Sequence, residues 1–148
     1  MTIGDLLVKE LVLPELSAGT KSEVLAELVA AAGDIVPGLD VDEAVKVLQE
    51  REALGTTGIG DTIAIPHGKM HSIDKIVLVV GRSLTGVEFD ALDHKPCHIF
   101  FLVLAPEQVA GQHLRVLANI SRLLKDEAFR KSYMVADGLD GMWRLLKG

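Results

Sequence analysis

The period of the apolar positions changes several times along the chain, and the changes divide it into elements. Thr20 and Glu23 have the spacing of a capping box, and Val24, Leu25, Leu28, Val29 and Ala32 then recur at helical spacing up to Gly33. This predicts a helix that stops at the glycine. Asp40 and Glu43 repeat the signature before Val41, Ala44, Val45 and Leu48, so a second helix is expected to end before Gly55, with Arg51 in its last turn. Ile76 to Val80 and His98 to Leu104 are unbroken apolar runs, the pattern of strands covered on both faces. Between them Val87, Phe89 and Leu92 alternate with charged or small residues, which predicts a short edge element before a turn at Asp93 to Pro96. Leu114, Leu117, Ala118, Ile120 and Leu124 signal a third helix after Pro106, and Leu139, Met142, Trp143, Leu145 and Leu146 a last one. Helices thus precede, separate and follow the strands, which is the pattern of an α/β or α+β sheet with helices on its faces. No internal repeat, low-complexity tract or linker interrupts it, and residues 1–148 are expected to form one domain.

Composition then excludes several classes of function. The net charge is −6, no run of Lys or Arg exceeds a pair, and aromatic residues make up 4%, so neither a nucleic-acid footprint nor a stacking platform is present. Asp5, Lys9 and Glu10 occupy the place of a secretory apolar region, and the longest apolar run, Ile99 to Ala105, is too short to span a bilayer. The single cysteine, Cys97, cannot form an internal disulfide, and a reducing cytoplasm is the expected compartment.

The candidate chemistry lies in one segment. From Gly55 to Gly68 the chain reads Gly-Thr-Thr-Gly-Ile-Gly-Asp-Thr-Ile-Ala-Ile-Pro-His-Gly: a glycine loop, an alternating apolar stretch and a Pro-His-Gly exit that presents His67. The loop is neither a Walker loop nor a dinucleotide fingerprint. His67 and His71 have a helical metal-ligand spacing, but Pro66 and Gly68 argue against a helix there, and Cys97 and His98 point to opposite faces of a strand. No metal and no cofactor are therefore expected. His71, His94 and His98 read as loop, turn and strand residues, and Cys97 as a small buried hydrophobe. His113 precedes Leu117, Ile120 and Leu124 by four, seven and eleven residues, on the docking stripe of the third helix. Two readings stay open for it: a buried histidine satisfied by a carbonyl, or part of an anion site at the helix start. Ile63 and Ile65 are expected in the core, and Ile59 and Lys69 near the rim.

Arg51-Glu52, Thr57-Gly58-Ile59-Gly60 and Ile63-Ala64-Ile65-Pro66-His67-Gly68, followed by Leu104-Ala105-Pro106, His113-Leu114 and Leu123-Leu124, resemble the EIIA domains of the phosphoenolpyruvate-dependent sugar phosphotransferase system. The class is that of the fructose, mannitol and nitrogen-regulatory proteins, and the resemblance covers nearly the whole chain. It implies a five-stranded mixed sheet flanked by helices and a phosphoryl carrier in which His67 is the acceptor. It also implies His113 and Arg51 as neighbours that stabilise the phosphoryl group. The donor implied is phosphorylated HPr or its nitrogen-branch counterpart, and the recipient an EIIB cysteine or a regulated target protein. Ile3-Gly4-Asp5-Leu6-Leu7 through Lys21-Ser22-Glu23-Val24-Leu25 is most similar to the nitrogen-regulatory branch, and nothing resembles a fused EIIB or a membrane EIIC domain. The alternatives are a component of fructose or mannitol uptake and a non-phosphorylated binding module. One departure is visible: Thr62 stands where the family usually has glycine.

Overall fold

The computed structural model describes residues 2–148. Thr2 caps a one-turn helix α1 (Ile3–Leu6), and a 3-10 turn leads into the two-residue strand β1 (Val12–Leu13). Helices α2 (Lys21–Ile35) and α3 (Val41–Ala53) follow, with Thr20 and Asp40 accepting the N–H groups of Glu23 and Glu43 as N-caps. Three short strands come next, β2 (Gly58–Gly60), β3 (Ile63–Ala64) and β4 (His67–Met70). Two long strands, β5 (Val77–Val87) and β6 (Cys97–Pro106), pair antiparallel. Helices α4 (Ala110–Leu124), α5 (Glu127–Val135) and α6 (Gly138–Lys147) complete the chain.

The sheet is mixed, in the order β1-β5-β6-β3-β2, with β4 also paired to β6. β3 and β4 both run parallel to β6 in one unbroken register, Ile63 opposite Ile99 and His67 opposite Val103. The six strands therefore lie in five lanes, which agrees with the five-stranded mixed sheet expected. Pro66 falls within the shared lane; it lacks an N–H, but its carbonyl still accepts the Val103 N–H at 2.9 Å.

Both faces are covered, which is why β5 and β6 read as continuous apolar runs. Val77, Val79, Phe100, Leu102 and Leu104 pack with Val24, Leu25, Leu28 and Leu48 of α2 and α3. Leu78, Val80, Ile99, Phe101 and Val103 pack with Val116, Ile120, Leu124, Tyr133 and Met142 of α4 to α6.

Several boundaries differ from the sequence reading. α2 continues through Gly33 to Ile35, because the glycine admits a neighbour: a Cβ there would lie 2.6 Å from Cγ2 of Val41 in α3. No edge strand forms at residues 88–92; Val87 ends β5, Phe89 enters the core and Leu92 is exposed. α5, which the sequence reading did not predict, packs Phe129 and Tyr133 into the core and is also held by a polar device. Buried Arg82 of β5 donates to the carbonyls of Tyr133 at 2.9 Å and Ala136 at 2.8 Å, at the end of α5, and to that of Pro14 at 3.0 Å.

Candidate functional site

Strand alternation decides which way His67 faces. Ile63 and Ile65 are buried against the α4 side of the sheet, as expected, and His67 and Lys69 continue that face at the open end of β4. Gly68 faces α3, where a Cβ would lie 2.4 Å from Cγ1 of Val47, so the absent side chain lets α3 close over the strand. His67 therefore emerges between α3 and α4.

The tautomer of His67 follows from the hydrogen bond of its Nδ1. Nδ1 lies 2.9 Å from the carbonyl oxygen of Ile65, which can only accept, so Nδ1 carries the proton. In the neutral ring Nε2 is then the unprotonated nitrogen and bears the in-plane lone pair. His113, four residues into α4, meets it edge to face, with ring centroids 5.8 Å apart and planes inclined by 75°. His113 is 4% exposed, and its buried Nε2 has no hydrogen-bond partner among the described residues. Burial, then the His67 ring, then Lys69 hold the His113 pKa below its ordinary value. When it carries a hydrogen, this orphaned, buried nitrogen beside a second imidazole is suited to donate to an oxygen of a ligand.

The two rings line a cleft of about 560 Å³ that also takes in Arg51, Leu54, Lys69 and Leu114. Arg51, in the last turn of α3, donates from Nη1 to the Gly55 carbonyl at 2.8 Å, so it ties down the glycine loop while bordering the cleft. The structure thus brings His67, His113 and Arg51 together. No side chain caps the N-terminus of α4, whereas Thr20, Asp40 and Asp126 cap α2, α3 and α5. A 3-10 turn, Glu107–Val109, runs directly into α4, and Ala110 in the first turn of α4 borders the cleft. Leu54 and Leu114, 86% and 68% exposed, form apolar rims on opposite walls. Sequence reading did not pick out this pair: Leu114 counts toward the helix stripe, yet the buried positions are His113, Val116, Ile120 and Leu124.

The other histidines lie elsewhere. His71 is exposed, 3.5 Å from a carboxylate oxygen of Glu107; His94 occupies a left-handed turn position with φ 60°; His98 donates from Nδ1 to the Ser83 carbonyl at 2.7 Å. Cys97 is buried, which pushes its thiol pKa up to about 12 and leaves it inert. A second cavity of about 410 Å³, between α1, the end of α2 and the start of β5, is apolar apart from Asp74 and Lys75.

Residues 5–148 match the family model described as "Phosphoenolpyruvate-dependent sugar phosphotransferase system, EIIA 2". The chain belongs to this EIIA family. Among its relatives, a nitrogen regulatory protein of Bradyrhizobium diazoefficiens is 36% identical over 99% of this chain and 95% of its own length. The fructose-specific EIIA component of Haloferax volcanii is 37% identical over 78% of this chain and 73% of its own. The crystal structure of nitrogen regulatory protein IIA-Ntr from Neisseria meningitidis superposes with a TM-score of 0.90 at 28% identity, covering 97% of this chain and 98% of that one. The EIIA fold and the nitrogen-regulatory likeness are therefore both shared. None of the helices among the described residues is long and apolar enough to cross a membrane.

Proposed function

We propose that this EIIA protein is a phosphohistidine carrier of the phosphotransferase system, with Nε2 of His67 as the acceptor. The observation that carries the reading is the Nδ1 to Ile65 carbonyl bond of 2.9 Å, which leaves Nε2 bare at the cleft. In the transfer, the Nε2–P bond forms as the donor's bond to phosphorus breaks. Nδ1 keeps its proton, so no general base is required, and the Ile65 carbonyl stabilises the positive charge that the ring acquires. His113 Nε2, the α4 dipole and Arg51 are placed to neutralise the phosphoryl oxygens. With one arginine bordering the cleft, and no metal ligand set among the described residues, the neutralisation is modest and the group can be passed on.

The donor in this reading is phosphorylated HPr or an HPr-like protein, docking on the apolar rims of Leu54 and Leu114 in the cytoplasm. The role is that of a nitrogen-regulatory EIIA, supported by the full-length likeness to a nitrogen regulatory protein. Phosphorylation then acts as a charge switch at a protein interface. The likeness to a fructose-specific component favours a second reading, in which the group goes on to an EIIB cysteine.

Incubation with phosphoenolpyruvate, enzyme I and HPr, followed by intact mass, tests the carrier reading. One acid-labile phosphoryl adduct, absent from His67→Ala, is expected; no adduct, or one that survives His67→Ala, overturns it. Adding a candidate EIIB to the phosphorylated protein separates the two roles.

A further inference from the structure

We infer that Glu52 is a positioning residue for His67, acting through Thr57 and Ile65; the inference rests on His67 being the phosphoryl acceptor. Glu52 lies in the last turn of α3 with its side chain only 5% exposed. Its Oε1 accepts the Thr57 N–H at 3.0 Å and lies 2.9 Å from the Lys21 ammonium, and its Oε2 accepts the Thr57 hydroxyl. Lys21 is itself fixed over the Phe89 ring, 4.7 Å from the centroid. A buried carboxylate satisfied on both oxygens makes a rigid anchor.

What it anchors is the backbone just before β2. The Thr57 carbonyl accepts the Ile65 N–H at 3.1 Å, and the Ile65 carbonyl accepts Nδ1–H of His67 at 2.9 Å. In a parallel ladder, alternate residues turn their polar groups to opposite neighbours. The carbonyls of Thr62 and Pro66 accept from β6, so Ile65 turns the other way, toward β2. Thr57 is the partner of Ile65 on that side, and β2 does not supply a donor for the Ile65 carbonyl; the imidazole does. The series Glu52, Thr57, Ile65, His67 thus links the end of α3 to the choice of which imidazole nitrogen is protonated. Arg51, beside Glu52, holds the Gly55 carbonyl at 2.8 Å, so adjacent side chains fasten both ends of the same loop.

The test reads the His67 tautomer by ¹⁵N NMR in the unphosphorylated, full-length protein, well above the ordinary imidazole pKa. The natural protein is expected to hold the Nδ1–H form. Glu52→Ala is expected to mix in the Nε2–H form and to lower the kcat for phosphorylation by phospho-HPr about tenfold with little change in KM. Glu52→Gln, whose amide keeps an acceptor for the Thr57 N–H and a donor for its hydroxyl, restores both. If Glu52→Ala does not fold, Thr57→Val, which removes only the hydroxyl contact, is expected to shift the tautomer in the same sense and by less. An unchanged Nδ1–H form in the folded variant overturns the inference. Because the tautomer is read without a donor, a shifted tautomer in a protein that is never phosphorylated defeats the carrier reading alone. An unshifted one in a protein phosphorylated normally defeats this inference alone.

Discussion

The imidazoles of His67 and His113 stand edge to face across one cleft, 5.8 Å between ring centroids, with no hydrogen bond joining them among the described residues. One ring is fixed through its own Nδ1 and the other is buried with Nε2 unpartnered, so an oxygen of a group carried by His67 would satisfy His113. His113→Ala should leave His67 able to accept a phosphoryl group but slow the transfer about tenfold to a hundredfold, the loss of one charge-stabilising donor. Stopped-flow or quench measurement with phospho-HPr checks this; an undiminished rate removes His113 from the site.

His113 should also make stability fall in mild acid. Its folded pKa lies below the ordinary 6.5, so between those values the unfolded chain binds the proton and the folded one does not. Stability is then unaffected above about pH 6.5 and is lost as the pH drops through that value toward the folded pKa. Urea titrations from about pH 7.5 to about pH 5 should show this slope in the natural protein and a flatter one in His113→Gln.

Thr62→Gly should stabilise the protein. Thr62 holds φ at 69°, a left-handed conformation that a β-branched residue adopts with strain, and its carbonyl is fixed there by the N–H groups of His98 and Ile99. Relief of about 1–2 kcal/mol of strain, offset by the greater unfolded freedom of glycine, leaves a gain of roughly 0.5–1 kcal/mol. Thermal melts check this, and a lower Tm contradicts it.

Arg82→Met should cost about 3 kcal/mol or more, since it strips the buried Tyr133 carbonyl and the half-buried carbonyls of Pro14 and Ala136 of a buried, charged donor. α5 should be lost first. Hydrogen exchange would show Glu127–Val135 deprotected ahead of β5 and β6; uniform protection would contradict the assigned role.

How much of this could be read in the chain depends on the kind of interaction involved. Thr20 and Asp40 are visible as caps because capping is local, and β6 is visible because a strand covered on both faces has no polar alternation. His67 is conspicuous because proline and glycine are backbone devices. α5 is not: only Phe129, Tyr133 and Met134 give it an apolar side, and Arg82, which holds its end, is distant in sequence. The same holds for Glu52, whose partners come from α2 and from the loop before β2, and for the facing of Leu54 and Leu114 across the cleft. Gly33 misleads because it resembles a helix stop and instead makes room for Val41.

The most direct measurement is the identity of the phosphorylated atom. In ¹⁵N-labelled protein charged through phosphoenolpyruvate, enzyme I and HPr, ¹⁵N–³¹P coupling is predicted at Nε2 of His67, with Nδ1 still protonated toward the Ile65 carbonyl. Phosphorus on Nδ1, or on any residue other than His67, would contradict the account.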